Sequence, residues 1–165
     1  MLASSSVVLV LMLPFALQTG TMMVDEFYFH RERGLPLWER VGHPLDTLTV
    51  ILCYGLLLLR EPSRGSLLGF IGLALFSMLF TAKDEPIHAR LCRREEHRTH
   101  LVLFALHPLV LGSAGLLWWQ GTPLGRGLLE VQAVLASLFM IYQLLYWNLF
   151  APKGFEHVSG KGPNQ

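Results

Sequence analysis

The chain has 165 residues, of which 52% are apolar and 15% charged, with a formal net charge of +1. Soluble domains carry about 25% charged residues, and here the few charges are also segregated. The windows 5–24, 45–59, 66–82, 101–119 and 128–147 hold only Asp46 and Glu130. This pattern excludes an aqueous enzyme, a nucleic-acid partner and a disordered chain, and predicts an all-α, polytopic membrane helix bundle.

The first predicted span, 5–24, has no basic residue ahead of it and no A-x-A site after it. It therefore reads as a retained helix rather than a signal peptide. Asp25 and Glu26 close it, and Glu26 and His30 are i,i+4, on one face if the helix continues. Arg31, Glu32, Arg33, Glu39 and Arg40 read as charges at headgroup level. Span two reaches spanning length as 41–59 and contains His43 and Asp46 at i,i+3 around Pro44. An Asp near a helix start also suits the helix dipole.

A short turn, Arg60 to Arg64, leads to span three at 66–82, where Gly65, Gly69 and Gly72 offer a small-residue packing face. The segment 83–100 carries Asp84, Glu85, His88, Glu96, His97 and His100. Glu85 and His88 have the E-x-x-H spacing of di-iron bundles, although Pro86 disturbs that geometry and Glu85 can simply begin a new helix. Span four, 101–119, has His107 about two turns inside, and Glu96, His100 and His107 form one stripe. Span five, 128–147, starts near Glu130, for which no role is evident. It ends on Tyr142, Gln143, Tyr146 and Trp147, an aromatic belt in which Gln143 and Tyr146 can support a site. Residues 1–156 form one bundle domain and 157–165 a flexible tail. Cys53 and Cys92 lack any metal-type spacing and read as neutral thiols.

Ten of the 13 basic residues fall in the segments 25–40, 83–100 and 148–165. The positive-inside bias puts those segments in the cytoplasm, with the N-terminus outside and the C-terminus inside, in a bacterial inner membrane. Six of the seven histidines belong to the same side, with most of the carboxylates. The expected metal ligands are Glu26, His30, His43, Asp46, Asp84, His88, His97, His100 and His107. Asp25, Glu96, Gln143 and Tyr146 are expected to support them. This imidazole and carboxylate supply suits borderline transition metals and exceeds what one tetrahedral zinc takes. Two ions, iron first and zinc next, fit the count.

Glu96-His97-Arg-Thr-His100, together with His30, His43, His88 and His107, resembles the histidine clusters of integral-membrane di-iron enzymes, the lipid desaturases and hydroxylases. The resemblance implies an oxidoreductase that uses iron and dioxygen on a lipophilic substrate at the cytoplasmic interface. Membrane lipids and a redox partner or larger membrane complex are the expected partners. The alternatives are a zinc-dependent membrane hydrolase and a non-enzymatic subunit that binds metal or haem. Few polar residues lie in the outer halves of the spans, which favours a one-sided site over a transport path.

Overall fold

The computed structural model describes residues 5–83 and 85–151, and among these all regular structure is helical. The first helix, α1, covers Ser5–Val24 and runs without a break into a π-helix at Asp25–His30 and one more turn, α2, at Arg31–Arg33. Gly34, at φ 76°, ends the helix in a conformation that disfavours other residues. Leu35, 1% exposed, pins the connector against Trp147 and Ala151. The other long helices are α3 (Leu37–Leu59), α4 (Arg64–Ala82), α6 (Arg94–Gln120) and α7 (Pro123–Leu145). A short α5 (Glu85–Leu91) lies between α4 and α6, and a second π-helix, Tyr146–Phe150, follows α7.

Five helical stretches are long and apolar enough to cross a membrane, with mean hydropathy between 1.5 and 2.0. Their ends follow local rules. Ser63 caps α4 by accepting from Ser66 N, and Thr122 caps α7 by accepting from Gly125 N, with Pro123 in the first turn. Helices α3 and α6 begin earlier than the apolar windows, at Leu37 and Arg94. Charged residues at both starts are buried in the protein, so these turns are held by packing that hydropathy does not register.

Helices α3 and α6 form the centre. α1 packs on α6, α7 packs on α3, and α4 closes the other side against both central helices. α1 and α7 scarcely meet. One half of the bundle is consolidated by a dry core in which Leu57, Leu111, Ala114 and Leu117 are at most 2% exposed. Gly115 lets α6 approach Phe70 of α4, since a Cβ there would lie 2.8 Å from the ring. Trp118 donates from its indole N–H to Arg60 O at 2.8 Å and ties the α3 end to α6. The opposite half is where the histidines gather. Glu130, unexplained in the sequence, pairs with Arg126 one turn earlier at 3.2 Å on the exposed face of α7.

Candidate metal centre

The π-helix at Asp25–His30 is the first positioning device. Hydrogen bonding from i to i+5 widens the turn, so residues five apart line up as well as residues four apart. His30 therefore meets both acids before it: Nε2 lies 3.2 Å from Asp25 and Nδ1 lies 3.4 Å from Glu26. An α-helix would bring only Glu26 to that face. Trp147, in the second π-helix at the end of α7, reaches the same acid, and its indole N–H donates to Glu26 Oε1 at 2.6 Å. Gln143 Nε2 donates to the other oxygen, Oε2, at 3.2 Å.

Four imidazoles from four helical segments then converge. Ring centroids are 4.9 Å apart for His30 and His43, 6.1 Å for His43 and His88, 4.1 Å for His88 and His100, and 6.0 Å for His30 and His100. His100 Nε2 bonds both oxygens of Asp25, at 3.0 and 3.2 Å. Nε2 of His30, His43 and His88, Nδ1 of His100 and Oε1 of Glu39 are buried without an aligned hydrogen bond among the described residues. Native interiors rarely leave so many buried polar atoms unsatisfied, and imidazole and carboxylate atoms that converge in this way are ones a metal ion can take up.

Three groups have ligand atoms within 4.8 Å of one another: Asp25, His30, Glu96 and His100; His30, Glu39 and His43; and His88, Cys92 and His100. They overlap at His30 and His100, so the donors form one continuous cluster. Arg33 braces it, with Nη2 2.6 Å from Glu39 Oε2 and 2.9 Å from Glu96 Oε1. One oxygen of Glu39 is thereby fixed while Oε1 faces His88 at 3.6 Å. Arg40 is occupied differently, donating from Nε to Leu35 O at 2.7 Å. Burial, reinforced by the negative charge of Glu96, pushes the Cys92 thiol up from its ordinary value, so it is a neutral donor until a metal displaces the proton.

Of the expected ligands, His30, His43, His88 and His100 come together. Asp25 and Glu96, expected in support, stand among the candidate ligand atoms. Glu26 instead orients His30 through a network with Gln143 and Trp147. Tyr146 makes no hydrogen bond to a carboxylate among the described residues; it packs edge-on to Trp147 and lies under Arg31. His97 stands apart, 3.5 Å from Glu85, and Asp46 pairs with Lys83 at 3.3 Å. His107 lies deeper and bonds Ser77 Oγ at 3.0 Å, which in turn bonds Thr49 Oγ1 at 2.7 Å. Asp84 and the tail 157–165 lie outside the described residues.

Glu39 and Arg40 are corrections to the headgroup reading, since they are 1% and 9% exposed. Their burial follows from the early start of α3, which makes Glu39 and His43 an i,i+4 pair. The missed signal was a repeat: Glu26 and His30, Glu39 and His43, and Glu96 and His100 all share the spacing Glu-x-x-x-His.

A cavity of about 560 Å³ extends from the cluster into the bundle. Its polar end includes Asp25, Glu26 and the four imidazoles; farther in it is lined by apolar residues such as Phe15, Val50, Val110 and Phe139. The volume falls within the roughly 300–1,000 Å³ range of small-molecule sites. No family model, curated protein or solved structure matches the chain.

Proposed function

We propose that the chain is a membrane-embedded enzyme that holds two transition-metal ions, iron first, and acts oxidatively on a lipophilic substrate. The observation that carries this reading is the overlap of ligand groups through His30 and His100 at the polar end of an apolar cavity. Overlapping groups of mixed imidazole and carboxylate suit adjacent ions that share ligands. Iron bound there would supply dioxygen chemistry, with electrons from a redox partner. The chain's own contribution is positional. Arg33 holds Glu39 and Glu96, Glu26 holds His30, and the apolar wall keeps water from a substrate lying beside the cluster. The arginine distribution supports an orientation with this end of the bundle in the cytoplasm, as in a bacterial inner membrane.

A second reading, a zinc-dependent hydrolase, is favoured by one feature. Cys92 joins His88 and His100, and a thiol among imidazoles suits zinc. Elemental analysis and an absorption spectrum of the detergent-purified chain separate the two. About two irons per chain supports the oxidative enzyme. Zinc alone supports the hydrolase, and a metal-free protein refutes both.

A further inference from the structure

His107 bonds only Ser77 among the described residues, yet the residue, 7% exposed, lines the cavity. The direction of its hydrogen bond can be worked out. Thr49 Oγ1 lies 2.7 Å from Asp46 O, a carbonyl that can only accept, so the single threonine proton goes there. The bond between Thr49 and Ser77 must then use the serine proton. Ser77 has none left for His107, so His107 Nε2–H is the donor. A neutral imidazole carries one proton, and no carboxylate contacts this ring among the described residues. Nδ1 is therefore a lone pair, and Ser77 and Thr49 lock that tautomer.

The surroundings say what such an acceptor would meet. α1 and α7 both line the cavity but scarcely pack on each other, which leaves a cleft toward the lipid-facing surface. Leu135 and Leu138 of α7 line the cavity and are 50% and 58% exposed. At the metal end the cleft is bridged by Glu26 with Gln143 and Trp147, and by Phe27 against Tyr142 at 5.5 Å. His107 is seven residues beyond His100 on α6, about 10 Å deeper at roughly 1.5 Å per residue.

We infer that the cavity takes a single long-chain lipid that enters between α1 and α7, and that His107 Nδ1 receives a hydroxyl in the middle of that chain. This deepens the proposed function and rests on it for the orientation, with the lipid's polar end at the metal cluster. A buried acceptor left unpaired disfavours a plain chain, so the residue sets specificity. His107 is a recognition group here and not a metal ligand.

The test uses the detergent-purified full chain and a fluorescent conjugated-tetraene fatty acid as the occupant. Stearate and a stearate with a mid-chain hydroxyl compete to displace it, and metal content is measured on the same samples. The hydroxylated chain is expected to bind up to about ten-fold tighter, the worth of one good hydrogen bond. His107→Leu should bring the two competitors to parity and keep the metal. Ser77→Ala, a milder change, should reduce the preference by freeing the tautomer, and it stands in if His107→Leu fails to fold. Equal binding by the unaltered chain, or an undiminished preference in the variants, overturns the inference. Loss of metal in His107→Leu also overturns it, because the residue would then be a ligand. A metal-free unaltered chain that still prefers the hydroxyl keeps the recognition role of His107 and sinks the metal enzyme instead.

Discussion

Arg33→Met tests how the carboxylates of the cluster are held. The guanidinium sits 2.6 Å from Glu39 and 2.9 Å from Glu96, and both acids are 1% exposed. Methionine keeps much of the side-chain stem while removing the charge. Breaking a buried pair costs about 3–5 kcal/mol because the remaining charge is stranded. The arginine side chain is 23% exposed, so water can reach part of the gap and the low end applies, about 3 kcal/mol. At roughly 2–4 °C per kcal/mol for a chain of this size, the melting midpoint falls by about 6–12 °C. Thermal unfolding in detergent, followed by tryptophan fluorescence after chelation, reads the loss. Saturating metal should shrink it, since bound cations neutralise the same acids. Adding Glu39→Gln should recover part of it. A chelated Arg33→Met protein that melts with the parent would refute the reasoning, because Glu39 and Glu96 would then need no cation.

Three further outcomes follow from the geometry. His100→Ala, at a residue shared by two ligand groups, should abolish metal binding, whereas His97→Ala should leave the metal-to-protein ratio unchanged; metal retained by the first would refute the site. Trp147→Phe removes the 2.6 Å bond to buried Glu26 and should lower stability by about 1.5–3 kcal/mol, the range for a bond to a charged group, read by denaturant melts in detergent. Gly115→Ala places a Cβ 2.8 Å from the Phe70 ring and should cost about 1–3 kcal/mol through overpacking, with metal content unaffected because the clash lies in the dry half of the bundle.

The five spans were legible because spanning length and apolarity are properties of single segments, and the 5–24 window coincides closely with α1 at Ser5–Val24. The gathering of histidines at one end was legible too, since alternating spans dictate which loops share a side. The helix start at Leu37 was not, because Glu39 and Arg40 are charged residues inside a helix and hydropathy counts them as loop, whereas the stripe of Glu96, His100 and His107 already carried span four back toward Arg94. His107 was placed on the correct helix, but an i, i+7 stripe runs along the axis and cannot say how far the metal cluster reaches. Its partners, Ser77 and Thr49, are small hydroxyl residues on other helices and carry no pattern of their own. The inward turn of Asp25 was hidden by a different cause. Helical spacing assumes i to i+4 bonding, and the π-helix breaks that assumption at the six residues Asp25–His30 where the site is built.

The charge balance of the cluster argues for bound cations independently of donor spacing. Asp25, Glu26, Glu39 and Glu96 are all buried, and Arg33 is the guanidinium that reaches two of them, while Arg40 is committed to a backbone carbonyl. Stranded charge in an interior costs several kcal/mol per ion, so a cation deficit of this size would work against the fold. Protonated imidazoles could supply some of it, and His30 and His100 are placed beside acids. Yet the four rings lie 4.1–6.1 Å apart around the cluster, and like charges that close repel, so they cannot all carry a proton together. Divalent ions remove the conflict. They bring two charges each, bind imidazoles in the neutral form and draw carboxylates together. Under the proposed function, the charge that would stabilise the bundle would also be the reagent at the polar end of the cavity, and folding of this end of the chain would be coupled to its chemistry.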